Sequence, residues 1–415
     1  MAARPWVPVL AVAFLLRAAW AAYATSLPVA PHDPWWYDER AQRLAAGLGY
    51  TLADGEPTAY FPPGYPLFLA AVYRVLGHHL TAVELIQAAL GTASVALLYG
   101  LARQAFGARA GLAAAALLAV APGQILYVSQ LHTEVLFTFL ALLAVWLTAA
   151  GGRREGRPGW LALVAAGAVA GLAALVRGQG LLILPAAGAY LLALRLPWRR
   201  WAPRMALTVL AATAVLLPWW VRNAVVLDAF VPLSTNGGVD LWIGNHPGAP
   251  GHFWLPDPAV FPQDAPTAER ELRWDAIGRR EALGYMAAHP LATARAAVAK
   301  LYYVFSEDSS VETAETWGRS PFLGTLERGV LSSAASGFLY AVLALAALGA
   351  PLWWAAADRP LRLLLLAVPL LWLLTYALVF GDPRFNYPLV PFLCALAAPA
   401  VAAVVGAWRA RGAPA

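Results

Sequence analysis

The chain has 415 residues, of which 60% are hydrophobic and only 13% charged. An ordinary soluble domain is about one-quarter charged, so this composition excludes one and points to an all-α polytopic membrane protein. The formal charge of +6 is almost wholly arginine, Lys300 being the only lysine, and its placement described below argues against a nucleic-acid partner.

About ten spans follow in chain order, each near the length a ~30 Å hydrocarbon layer requires. The first runs from near Trp6 to Tyr23; no small-residue cleavage site follows it, so it reads as a retained span. After a polar loop, Leu67 to Leu76 is too short to cross and reads as an interfacial helix. Spans two to seven cover about Thr81–Leu101, Ala110–Tyr127, Glu134–Ala149, Trp160–Val176, Leu181–Leu194 and Met205–Val221. A second long polar region precedes the last three, near Leu331–Trp354, Leu361–Phe380 and Leu389–Trp408. The chain thus reads as a single transmembrane domain, residues 1–415, with extracytoplasmic loops at 25–66 and 222–327. The 18 Trp and 15 Tyr suit two interfacial belts.

The positive-inside rule orients this ladder. With both termini cytoplasmic, the inside segments carry Arg4, then Arg103 and Arg109, Arg153, Arg154 and Arg157, then Arg195, Arg199, Arg200 and Arg204, Arg359 and Arg362, and last Arg409 and Arg411. The two long loops then lie outside and hold nearly all the Asp and Glu. In the second, LSTNGGVDLWIGNHPGAPG implies tight turns, Glu269 to Met286 has helical character, and His289 to Tyr303 is amphipathic enough to lie on the membrane surface.

The first loop, PHDPWWYDERAQRLAAGLGYTLADGEPTAYFPPGYP, concentrates the chemistry. Asp33-Pro34 reads as a helix N-cap followed by proline at N1, and a carboxylate at a helix mouth can also accept a proton. Tyr37 lies one turn on and shares that face. Asp38 and Glu39 point elsewhere and read first as surface charges. Glu134, in SQLHTEVLF, opens the fourth span at the same membrane edge, where ionisable groups are usually functional. Arg177, Arg222 and Arg384 end spans on the outer side, where topology does not need them; a planar guanidinium fork suits phosphate. Tyr65 in the PPGYP turn and Asn245 in the second loop are further substrate-binding candidates. His246, His252 and His289 have no ligand spacing, so no cofactor is assigned and a divalent metal stays open. Cys394, alone, excludes an intrachain disulfide and a cysteine metal cluster. The P-loop, Rossmann, GxSxG and HExxH patterns are absent.

Taken in order, HDPWWYDERAQRLAAGLGY, TAYFPPGYPLFLAAVYRVLG, HTEVLF, ALVRGQGLLILP, RNAVVLDAFVPLSTNGGVDLWIGNHPGAPG and GDPRFNYPLVPFL resemble the polyprenyl-phosphate-dependent glycosyltransferases of the GT-C fold. These are the bacterial relatives of the protein O-mannosyltransferases and the lipid A aminoarabinose transferases. The resemblance implies an enzyme of the cell membrane that moves a sugar from a polyprenyl phosphate to a glycan, lipid or protein acceptor on the extracytoplasmic side. It implies Asp33 as base, Glu134 as the second acidic position, Arg177 as the arginine ending the fifth span, and Arg384 with Tyr387 as the late arginine-tyrosine motif. A plain Asp-Glu pair is absent at Asp33, with Asp38-Glu39 five residues on, so the sequence leaves the choice of base open. Direct displacement by one base inverts the anomeric carbon. A transporter or flippase of lipid-linked sugars is the alternative; it calls for charged or broken helices at mid-membrane, whereas the span middles read as Ala, Leu and Val.

Overall fold

The computed structural model describes residues 5–24, 29, 32–264, 267–316, 323–355 and 358–411. Helix α1 (Trp6–Ala24) leads to two helices of the first long loop, α2 (Asp33–Ala45) and α3 (Gly64–Leu76). There follow α4 (Leu80–Phe106), α5 (Ala108–Val120), α6 (Pro122–Leu126), α7 (Glu134–Arg153), α8 (Gly156–Val176), α9 (Ile183–Ala193) and α10 (Trp198–Val226). The second long loop folds as α11 (Gly237–Ile243), α12 (Thr267–Ala288), α13 (Pro290–Val304) and α14 (Ser310–Thr316). The chain then forms α15 (Thr325–Leu348), α16 (Ala350–Ala355), α17 (Arg359–Leu378) and α18 (Val390–Arg411). Among the described residues eight helices are long and apolar enough to cross a membrane, or nine with one bent pair. All ten expected spans are helical, and the protein is a multi-pass membrane protein.

Three spans depart from expectation. The third bends by 60° between α5 and α6. Proline disfavours helical backbone in the residue before it, and Ala121 is extended at ψ 116°. Pro122 also has no N–H for the carbonyl of Leu118, four residues back. Arg17 supplies the missing donors: its guanidinium, fully buried in α1, bonds the carbonyls of Leu118 at 3.0 Å and Ala119 at 3.1 Å. Arg17 is thus an exception to span middles that are nearly all Ala, Leu and Val, and it closes a helix break. The sixth span begins with a 3-10 turn at Gly178–Leu182 and falls short of a full crossing. The eighth is divided, α15 stopping at Leu348 and α16 following Gly349.

The basic turns gather at one end. Arg153 pairs with Asp358, Arg200 with Glu155 at 3.0 Å, and Arg204 bonds the Gly152 carbonyl at 3.3 Å. Small residues let the spans approach: a Cβ at Gly167 of α8 would stand 2.0 Å from the Thr208 carbonyl oxygen of α10.

The two long loops pack together over the other end. Buried Glu271 of α12 accepts hydrogen bonds from Thr58, from the Ala59 N–H at 3.0 Å and from Thr235 at 3.2 Å, and the Thr235 N–H bonds the Ala59 carbonyl at 2.9 Å. Helix α13 buries Lys300 and Val304 while Leu291, Val298 and Tyr302 are exposed.

Candidate active site

Four elements bring their charged ends together where the long loops meet the spans. Asp33 is the first residue of α2, with His32 as the N-cap and no capping side-chain bond. Its carboxylate is thus not spent on its own helix, against the N-cap expectation. Instead it meets Arg384 at 3.3 Å. Arg384 sits in a 3-10 turn, Pro383–Asn386, whose own cap is Asp382: that carboxylate accepts from the Arg384 N–H at 2.8 Å and lies 3.6 Å from its Nε. Burial works against the Arg384 charge, but Asp382 and Asp33 outweigh it and hold the guanidinium firmly protonated.

A second ion pair lies deeper. Glu134, first residue of α7, meets Arg177 just beyond α8 at 2.6 Å, and the same guanidinium nitrogen donates to Thr133 Oγ1 at 3.0 Å. Side-chain exposure falls from 25% at Asp33 and 19% at Arg384 to 14% at Arg177 and 1% at Glu134. The Asp33–Arg384 pair is thus the more exposed part of this charged cluster and Glu134 its most buried member. His132 stands 3.9 Å from Glu134, and burial pushes its imidazole down to about 4, so it is neutral at physiological pH. Tyr37 is buried beside this cluster, wedged edge-on to Tyr65 at 5.4 Å. Burial, then the Asp33 and Glu134 charges, push its phenol well up.

The fifth charged group is one the sequence reading passed over. Asp240 of α11, inside the GGVDLW run, is half-buried and accepts a hydrogen bond from Asn236 at 2.9 Å. Burial, and then the negative charge of Asp33, push its carboxyl up to about 7, against the pull of Arg177 and Arg384. Nothing in its glycine-rich context marks it; only the packing of α11 on α12 reveals it. The Gly238 N–H bonds Asp275 at 2.7 Å, and a Cβ there would stand 2.0 Å from the Asp275 carbonyl oxygen.

Other candidates lie elsewhere. Arg222 donates to the backbone carbonyls of Tyr50 at 2.7 Å and Thr58 at 2.8 Å, and lies 5.0 Å over the Trp219 ring. Its fork braces the first loop and is not turned to the cluster. The fully buried Tyr65 hydroxyl donates to Gln87 at 3.1 Å. Asn245 is buried, its amide carbonyl accepting from Lys300 at 2.8 Å and its NH2 donating to Leu378 O at 2.6 Å. Tyr387 is buried against Tyr127, ring centroids 4.7 Å apart. Asp38 is buried too, accepting from Tyr73, from Gln42 at 2.9 Å and meeting His78 at 2.9 Å, which ties α2 to α3; Glu39 pairs with Arg40. Among the described residues no three His, Cys, Asp or Glu side chains converge. His246 stacks on Trp242 at 4.1 Å, and His252 and His289 lie against Tyr303 and Tyr285. Positive charge in the cluster comes from Arg177 and Arg384.

Comparison with known proteins supplies the fold's relatives. The apo oligosaccharyltransferase of Archaeoglobus fulgidus superposes with a TM-score of 0.59 at 16% identity, over 98% of this chain and 51% of that one. The chain has the GT-C fold. Residues 61–221 of this GT-C chain match the family model of dolichyl-phosphate-mannose-protein mannosyltransferases. The same archaeal enzyme, AglB, in complex with an inhibitory peptide and a dolichol-phosphate, matches with a TM-score of 0.56 at 16% identity, over 99% and 52% of the two chains. This chain therefore spans about half the length of those enzymes. ArnT from Cupriavidus metallidurans, bound to undecaprenyl phosphate, matches with a TM-score of 0.47 at 18% identity, over 99% and 80%. Nothing among curated protein sequences matches.

Proposed function

We propose that this GT-C protein transfers a sugar from a polyprenyl-phosphate donor to an acceptor on the extracytoplasmic side of the membrane, with inversion at the anomeric carbon. The observation that carries the reading is the pairing of Asp33 with Arg384 at 3.3 Å, the more exposed of two ion pairs, the other of which holds Arg177. The donor phosphate, anchored by its prenyl chain among the spans, takes the Arg384 guanidinium through charge-assisted hydrogen bonds. Asp33, released from that guanidinium, accepts the proton of the acceptor hydroxyl. The acceptor oxygen bonds the sugar C1 while the C1–O bond to phosphate breaks, and its electron pair stays on a phosphate oxygen beside Arg384. Support for a lipid-phosphate donor comes from the dolichyl-phosphate-mannose family match over 61–221 and from the dolichol-phosphate complex of the neighbour AglB. The basic turns gathered at the opposite end support a cluster that faces outside.

The transporter alternative calls for charge along a broken mid-membrane helix. Here the break at Pro122 is sealed by Arg17 through carbonyl hydrogen bonds, which favours the transferase.

The test is transfer from dolichyl phosphate mannose, labelled in the sugar, to membranes or vesicles holding the full chain. Loss of a general base lowers turnover by about 10²- to 10⁴-fold, so Asp33→Asn should fall in that range with its melting temperature unchanged. Undiminished turnover in Asp33→Asn would sink Asp33 as the base.

A further inference from the structure

Asp382 fixes Arg384 within its own turn: the carboxylate accepts from the Arg384 N–H at 2.8 Å and lies 3.6 Å from its Nε. The turn Pro383–Asn386 thus carries the guanidinium as one body, and the flanks of the turn decide where that body points. The second long loop grips both flanks. Ahead of the turn, Asn245 donates to the Leu378 carbonyl at 2.6 Å, and the Gly381 N–H bonds the Gly251 carbonyl at 2.8 Å. At its end, buried Asn386 donates from its amide NH2 to the carbonyls of Val304 at 3.1 Å and Glu307 at 2.8 Å. Gln124 of α6 holds the next residue from the other side, bonding the Tyr387 carbonyl at 2.9 Å. Val304 is the last residue of α13, and the last carbonyls of a helix have no partner within it. A short arm with two N–H donors serves both carbonyls at once; aspartate and leucine, of like size, offer none.

We infer that Asn386 is a positioning residue for the donor phosphate: by tying the end of α13 to the turn of Arg384, it keeps that guanidinium where Asp33 meets it and where a phosphate replaces Asp33. This rests on the donor reading above. Asn386 acts through Arg384, two residues earlier in the same turn. A bidentate contact between guanidinium and phosphate needs the two planes aligned. With the Asn386 bonds removed, the turn is held at one flank only, and the fork samples poses in which it meets one phosphate oxygen or none. The seating of the second long loop therefore sets the strength of a phosphate site that the loop itself does not carry.

The test is a double-mutant cycle on the binding of dolichyl phosphate, titrated calorimetrically into the full chain in detergent. Members of one network alter each other's effects by about two- to a hundredfold, so Asn386→Ala should weaken binding by an amount in that range. Arg384→Lys keeps the charge and gives up the planar fork. In that background Asn386→Ala should weaken binding by less than about twofold, because a point charge has no plane to align. Asn223→Ala is the control for lost stability. It removes another buried amide, which donates to the Val231 carbonyl at 3.0 Å near the end of α10, and should lower the melting temperature with binding unchanged. Asn245→Ala loosens the other flank of the turn and should repeat the Asn386→Ala pattern, which keeps the test open where Asn386→Ala does not fold. Equal losses from Asn386→Ala in the wild-type and Arg384→Lys chains overturn the positioning role, as does wild-type affinity in Asn386→Ala. Failure of both variants to fold assigns the two asparagines to stability alone and overturns it too. Absence of binding in wild type, or binding unchanged in Arg384→Gln, overturns the donor reading and this role with it.

Discussion

Asp33 and Arg384 hold each other in the donor-free chain, so anything that binds Arg384 must first replace a carboxylate. A phosphate diester can do so because two of its oxygens can take the guanidinium fork bidentately, where Asp33 makes a single contact at 3.3 Å. A hydrogen bond to a charged group is worth about 1.5–3 kcal/mol, so Arg384→Gln should raise the donor KM by about ten- to a hundredfold. Arg222 provides the contrast. Its donors go to the Tyr50 and Thr58 carbonyls, so Arg222→Gln should lower the melting temperature and leave the donor KM near wild type in the fraction that folds. Equal rises in donor KM for the two variants would contradict the separation. At this scale the sequence is legible in part. Asp33, Glu134, Arg177 and Arg384 converge because each ends or begins a helix at one membrane edge, and that edge can be read from the hydropathy pattern. Arg222 sits at the same edge and is misread because a guanidinium bonds backbone carbonyls as readily as phosphate, and the loop fold decides which it finds. Asp240 is missed because a carboxylate in a glycine-rich run looks like any solvated turn residue.

Lys300 shows what one buried cation does for neighbouring elements. It lies fully buried in α13 and donates to Asn245 at 2.8 Å and to the Leu378 carbonyl at 3.2 Å, where α17 ends. Around it the chain is crowded: a Cβ at Gly244 would stand 1.6 Å from the Val379 carbonyl oxygen, and one at Gly381 would stand 2.1 Å from the Lys300 carbonyl oxygen. The Gly381 N–H bonds the Gly251 carbonyl at 2.8 Å. This seat joins the loop that carries Asp240 to the turn that carries Arg384. Burial pushes the Lys300 ammonium from 10.5 down to about 8. Above that pH the folded chain has released the proton while the unfolded chain still holds it, so the contribution of Lys300 to stability should rise with pH from about 8 to 10.5. Buried tyrosines such as Tyr37, whose phenols are pushed up, act in the opposite sense near pH 10 in both chains, so thermal unfolding in detergent should show the rise as a difference between wild type and Lys300→Met that grows over this range. A difference that stays constant with pH would assign the effect to another group. The spans are legible because a 20-residue apolar run has few other places to go. The bend at Pro122 needs its partner to be known: the proline is plain in the sequence, but Arg17, 105 residues earlier, bonds the freed carbonyls only once the helices pack.

Over the whole molecule, charge is sorted by end: basic turns meet Asp358 and Glu155 at one, and the two acidic loops pack on each other at the other. Single cysteines placed in a Cys394→Ala background test which end faces outward. Ala53→Cys should react with a membrane-impermeant maleimide in intact cells, and Arg157→Cys only after permeabilisation; the reverse order would invert the topology. The same sorting leaves the chain with an unusual chemical surface. Its one lysine is the ammonium sealed between α13 and α17, so amine-directed acylating reagents find no lysine target while the long loops stay seated. Acylation of Lys300 would then be a clock for the rate at which the second loop lifts off the last spans, readable by mass without any substrate.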